Sequence, residues 1–351
     1  MKRLIGLAVV VALLAVVGYA AESTDQVLQK PAGPGYHVIS KLPLGGEGGW
    51  DALTVDSGAA RLYISRGTHV MVVDLATGKS AGDIPNTPGV HGIAVAPELG
   101  RGFTSNGRAN TCTIFDLKTL AAIGEVKTGT NPDAILYDPA SKRVFTFNGN
   151  SKDATAIDAA KGEVVGTIPL GGRPEFAETD GKGMVYANIE DTSEVVAIDS
   201  AKLTVTKRFA LTPGEEPSGI ALDAEHQRVF SACHNNMMTV LDVASGTVIA
   251  TVPIGAGVDG AGYDPGTGLA FSSNGGDGTL TVARESAPGK YEVAETVTTQ
   301  RGARTMAVDP KTHVVYLPAA EYGPAPAATA ETPRPRPTMV KDSFCVLVVG
   351  K

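Results

Sequence analysis

"HVISKLPLGG", His37 to Gly46, reads as the end of a repeat that has no beginning. Nearly the same string returns as "EVVGTIPLGG" (Glu163–Gly172) and "TVIATVPIGA" (Thr247–Ala256). There it closes a longer unit, and the next unit follows at once. The orphaned copy makes sense only if the chain is a repeat array whose last unit is completed by its first folded segment.

The repeat itself is marked by an aspartate. Asp74, Asp116, Asp158, Asp199 and Asp242 each end an apolar segment, at successive gaps of 42, 42, 41 and 43 residues, and Arg284 takes the place 42 residues later. Before each lies a tetrapeptide: "YISR" (Tyr63–Arg66), "FTSN" (Phe103–Asn106), "FTFN" (Phe145–Asn148), "FSSN" (Phe271–Asn274) and the looser "YANI", "FSAC" and "YLPA". Corners such as "DPASKR" (Asp138–Arg143) and "DPKTHV" (Asp309–Val314) are turn sequences, in which Pro presets φ and Asp bonds local backbone. The apolar segments are short and β-rich ("VMVVD", "CTIFD", "VVAID"), and none past the first twenty residues sustains a 3.6-residue period. Four short strands per unit of about forty residues mean a propeller blade. Seven units enter at Trp50, Val90, Pro132, Pro174, Pro217, Val258 and Ala303.

The fold expected is therefore all-β: a seven-bladed β-propeller of four-stranded blades, a single domain over residues 36–351. The seventh unit runs out after three strands, and "HVISKLPL" supplies the fourth. That closure removes the open seam that an edge strand would leave.

Residues 1–20 read as a signal peptide. Lys2 and Arg3 precede an apolar run, Leu4 to Val17, and "GYA" offers small residues for a cut after Ala20. The run is shorter than the roughly 20 residues that a membrane span needs, so no span is expected after cleavage. Residues 21–35 read as a flexible segment, and the destination as the periplasm or beyond. Loss of Lys2 and Arg3 leaves 28 basic against 37 acidic residues, taking the net charge from −7 to −9. That balance disfavours non-specific nucleic-acid binding, which depends on neutralising phosphates. Three cysteines, Cys112, Cys233 and Cys345, are too few and too odd in number for a disulfide framework, and no C-x-x-C-H occurs for covalent haem.

The tetrapeptides, the forty-residue period and the leader resemble the YVTN-repeat family of seven-bladed propellers, in its exported YncE-like branch, over roughly Tyr36 to Lys351. The resemblance implies the fold. It does not imply one function, because that family and its propeller relatives include surface-layer proteins, nucleic-acid binders, lactonases and subunits of amine-oxidising enzymes.

Strand parity locates the functional face. With strands a to d counted from the channel outward, the d→a and b→c connections emerge on one face and the a→b and c→d turns on the other. The second set is short and repetitive. The first varies from blade to blade. At the entrance to strand a the seven units carry Asp51, His91, Asp133, Glu175, Ser218, Asp259 and Arg304. On the same face, after strand b, come Arg66, Asn106, Asn148, Glu190, His234 with Asn235, and Asn274. The first set stays polar while changing at nearly every blade, which points to a ligand mouth for a small molecule or a protein partner. The alternative is a solvated structural ring that bonds water and backbone.

No cofactor motif is present. Carboxylates and amide oxygens suit a hard divalent cation such as Ca²⁺, and His91 or His234 with a carboxylate suits a transition metal. Otherwise both histidines are hydrogen-bonded loop residues. For hydrolysis or lactone opening, His91, Asp133, Glu175 and Arg304 are the candidates by type for base and oxyanion partner. No G-x-S-x-G elbow exists. Cys233 beside His234 suggests a thiol–imidazole pair, but neighbours on a strand point to opposite faces. Cys112 and Cys345 read as small buried hydrophobes.

Three features remain. "GEEPSG" (Gly214–Gly219) either deepens the acidic mouth or is a solvated loop. The Pro- and Ala-rich stretch Pro318–Lys341 is an insertion between strands b and c of the last blade, a docking arm tipped by Arg334 and Arg336 or a plain surface loop. Trp50, the one tryptophan, is a stacking platform or a filler between blades. The chain is expected to be a monomer.

Overall fold

The computed structural model describes residues 35–326 and 337–351, with Met1. The leader, the segment before Gly35 and the arginines Arg334 and Arg336 lie outside the described residues. Gly35–Lys351 forms one compact unit.

Seven four-stranded antiparallel sheets make up this unit, each a meander from an inner to an outer strand. The inner strands are Leu53–Asp56, Val90–Ala96, Pro132–Asp138, Pro174–Thr179, Pro217–Asp223, Val258–Asp264 and Ala307–Asp309, for blades one to seven. The predicted closure is present. His37–Pro43 pairs with Cys345–Gly350 as the outer strand of blade seven, from His37 opposite Gly350 to Pro43 opposite Cys345. Among the described residues no helix is long and apolar enough to cross a membrane.

The core explains why the middle strands are apolar at every position. Seven buried clusters fill the seven gaps between blades. Along Arg61–Ser65, Leu62 and Ile64 face blade seven, while Tyr63 faces blade two, and all three are fully buried. A blade sandwiched on both faces has no solvent side, so strict alternation disappears. The cluster between blades seven and one holds Trp50, packed on Phe344 at 5.3 Å between ring centroids. Trp50 is thus the filler of the closing seam and not a stacking platform.

The register-marking aspartates cap the c→d turns. Asp116 Oδ1 accepts from the Lys118 and Thr119 amides at 3.0 and 2.7 Å, and Asp158, Asp199 and Asp242 repeat the pattern. The a→b turns are capped alike. Asp138 receives Ser141, Thr179 and Ser200, and Asp309 receives the Lys311 amide, Thr312 and Ser57.

Candidate functional site

Five of the seven mouth residues are aimed by a break in the strand register. In blades two to six the pairing of strands a and b slips where the chain enters the channel, and the slip brackets His91, Asp133, Glu175, Ser218 or Asp259. A bulge re-aims a side chain that regular pleating would send between blades. In three blades the third residue of the tetrapeptide is a serine that ties down an entrance to strand a. Ser65 Oγ accepts the Asp51 amide at 2.9 Å, Ser105 Oγ donates to the Asp133 carbonyl of the next blade, and Ser273 Oγ donates to the Arg304 carbonyl at 2.5 Å.

The seven side chains form a ring that is nearly continuous. Asp51 Oδ2 meets His91 Nδ1 at 2.5 Å, and Asp133 Oδ1 lies 3.5 Å from the same nitrogen. Arg304 reaches Asp51 at 3.3 Å on one side and Asp259 on the other. Ser218 Oγ donates to Asp259 Oδ1 at 2.8 Å. The chain of contacts breaks on both sides of Glu175. That carboxylate is held from outside the ring by Arg173, 3.0 Å away, which also binds Glu190 at 2.7 Å. Asp51, His91 and Asp133 are the one group of potential metal ligands among the described residues, with a donor atom from each within 4.8 Å of the others.

Charge is unbalanced here. Asp51, Asp133, Glu175, Glu190 and Asp259 are set against Arg304, Arg173, Arg108 and His91. Burial, joined by Asp51 and Asp259, pushes the Asp133 carboxyl up to about 6 against the pull of His91. Burial and Asp133 push Glu175 up to about 8 despite Arg173. Burial also raises Asp259, with Arg304 opposing. Burial would lower His91, but its bond to Asp51 and the charge of Asp133 outweigh it and raise the imidazole. A cleft of about 530 Å³ opens over this side of the ring, lined by Asp51, His91, Arg304, Arg108 and Asn131 among others. His91 Nε2 faces Gly107, where even a Cβ would come within 2.8 Å.

The second set of predicted residues does not join the mouth, with Glu190 the exception. Asn106, Asn148 and Asn274 are fully buried. Each spends its amide inside its own blade: Asn106 on Thr111 and Thr113, Asn148 on Asp153 and Thr155, Asn274 on Thr279 and Thr281. They tie the b→c turn and are not ligand residues. Arg66 is also fully buried. Its guanidinium donates to the carbonyls of Gly45, Gly46, Glu47 and Gly48 at 3.0–3.2 Å and lies 3.6 Å from the centre of the Phe344 ring. It clamps the linker that follows the closing strand, and desolvation lowers its pKa to about 10. His234 sits apart, half-exposed, with Glu216 3.8 Å away. Cys233 is buried and its thiol pushed up to about 12 by desolvation, so no thiolate pairs with His234. Glu215 and Glu216 are exposed, as a solvated loop requires.

Arg173 is the mouth residue that sequence reading missed. The signal exists: two places before the ring position, four blades carry Gly49, Gly89, Gly257 and Gly302, and blade four alone carries an arginine.

No family model matches the chain, and no curated protein matches it. Solved structures do. U3-55K superposes with a TM-score of 0.73 at 8% identity, covering 88% of this chain and 97% of that one. The RRP9 WD40 repeats give 0.73 at 8% identity, covering 89% and 97%. Kuenenia stuttgartiensis hydrazine synthase gives 0.49 at 17% identity over 69% and 97%, too loose a superposition to bear on function. At such identities the likeness establishes the seven-bladed propeller and nothing of the chemistry.

Proposed function

We propose that this chain is an exported binding propeller, of the YVTN-repeat, YncE-like kind, whose channel mouth takes a positively charged group of its ligand. One observation carries the reading: five carboxylates converge on the mouth against three arginines and one histidine, and burial among like charges holds the protons of Asp133 and Glu175 far above the ordinary range. A site so built gains most from an added cation. Asp51, His91 and Asp133 supply the donors that a divalent ion would use, with Glu175 and Asp259 as the surrounding charge.

The test is calorimetric titration of the mature protein with Ca²⁺, Mn²⁺ and methylammonium at pH 8, beside a metal assay of protein purified without chelator. Binding that is lost in the Asp133→Asn, Glu175→Gln double variant is the expected result. No binding of any of the three, and no co-purified metal, overturns the reading. Export is tested by cell fractionation and N-terminal sequencing, which should find a chain starting at Ala21.

The Asp51–His91 contact of 2.5 Å favours a second reading. An aspartate that orients an imidazole is half of a general-base system. His91 would then activate a water against a lactone or ester. Hydrolysis of such substrates, abolished by His91→Gln, would establish it.

A further inference from the structure

The central channel begins directly beneath the ring. Its volume is about 290 Å³, and its walls are half apolar, with Ile93, Ala94, Ile135, Leu136, Phe176 and Met306 supplying apolar side chains between polar groups. The hydroxyls on those walls are already engaged. Thr54 Oγ1 donates to the Ile93 carbonyl at 2.6 Å, Thr179 Oγ1 to Asp138 at 2.8 Å, Thr305 Oγ1 to the Asp51 carbonyl at 2.7 Å, and the Tyr137 hydroxyl to Glu98.

Glu178 breaks this order. Three residues past the ring position the other six blades carry Thr54, Ala94, Leu136, Ala221, Gly262 and Ala307. Blade four places a carboxylate there. It lines the channel, open to water along the axis and walled by protein elsewhere. No side chain among the described residues bonds or opposes it, and desolvation alone pushes its carboxyl up to about 7.

We infer that the channel is a binding site for a small aliphatic ammonium compound, its cationic head on Glu178 and its apolar body along the Ile, Leu and Ala wall. The alternatives fit worse. A divalent ion wants several oxygen donors, six or more for Ca²⁺, and one carboxylate is free. An anion meets Glu178 at close range. A neutral apolar guest leaves the carboxylate desolvated and unpaired, which is costly. An alkylammonium ion satisfies both the charge and the wall. The acidic ring above is the natural entrance, because a mouth of negative sign concentrates cations. The site is distinct from the mouth and is tested apart from it.

The experiment uses the mature full chain and n-butylammonium as probe, read by calorimetry and saturation-transfer NMR at pH 8.5, with n-butanol as the neutral isostere. Added to the Asp133→Asn, Glu175→Gln variant, so that binding at the mouth does not mask the result, Glu178→Gln, checked for its fold by circular dichroism, should weaken binding about tenfold or more, the worth of one charge-assisted bond. The unaltered protein should discriminate against butanol by a similar factor. The Asp133→Asn, Glu175→Gln variant should still bind butylammonium, which separates this site from the mouth. In the unaltered protein the Glu178 carboxyl carbon signal should move on titration, so the proposal does not hang on the variant's folding. No binding by the unaltered protein, equal binding with Glu178→Gln added to the double variant, or a carboxyl signal that stays still each overturns it.

Discussion

Asp133 and Asp138 lie at opposite ends of one inner strand, Pro132–Asp138. On the turn face Asp138 accepts from Ser141, Thr179 and Ser200 and is held below the usual carboxylate range, because those bonds outweigh its desolvation. On the mouth face burial, joined by the like charges of Asp51 and Asp259, pushes the Asp133 carboxyl up to about 6, with one imidazole at 3.5 Å to oppose it. The residue type is the same and so is the strand. What differs is whether the chain supplies partners for the charge. An aspartate satisfied by the turns around it contributes stability. An aspartate left short of partners destabilises the fold and is available to a ligand.

The largest expected effect sharpens this contrast, because its residue lies on the mouth face by strand parity yet spends both terminal nitrogens on backbone carbonyls. Arg66→Ala removes four hydrogen bonds and the contact with Phe344 from the ring-closing seam. A loss of about 4 kcal/mol is expected in urea unfolding, with no loss of cation binding at the mouth while the protein stays folded.

Asp138→Ala comes next. It strands three buried or half-buried hydroxyls, and a cost of about 3 kcal/mol is expected at neutral pH. The folded pKa of Asp138 is depressed, so its contribution is full above the unfolded value of 3.8 and is lost as the pH falls through the folded value. The gap between variant and unaltered protein should therefore close in acid. A gap independent of pH would mean that the carboxylate charge is irrelevant there.

Glu175→Gln should act with the opposite sign. The folded carboxyl is raised from 4.5 to about 8, so the unaltered protein loses stability as the pH climbs through that window. The variant is expected to be more stable at pH 9, by something of order 2 kcal/mol, and no different at pH 4. Thermal melts at the two pH values decide it. A variant less stable at pH 9 would break the comparison, since it would make Glu175 a structural residue.

The smallest effect belongs to Asp116→Ala. That carboxylate caps an exposed turn, and water replaces it as acceptor. Its melting temperature should hardly differ from that of the unaltered protein.

The same contrast governs what was legible in advance. Asn106, Asn148 and Asn274 recur as one residue type, the mark of a position under structural constraint, and they are indeed consumed within their blades. The ring at the entrance to strand a varies from blade to blade, and it is the ring that carries unsatisfied charge. Parity gave the face on which a residue emerges but not the direction of its side chain, which is why Arg66 was expected at the mouth and lies buried in the seam.

The amino-acid sequence by itself determined the period, the number of blades, the strand count and the closure by His37–Pro43. Those features rest on local physics: turn aspartates that bond amides two and three residues on, and apolar runs sized to short strands. Tertiary structure alone decided which polar residues meet. Asp51, His91, Asp133, Asp259 and Arg304 come from five different blades, and Arg173 and Glu178 matter only because the ring breaks at blade four and the channel leaves one carboxylate without a partner among the described residues. Spacing along a chain fixes hydrogen bonds within a unit. Contacts across a closed ring depend on how bulges aim each strand, and that geometry exists only once the ring has closed.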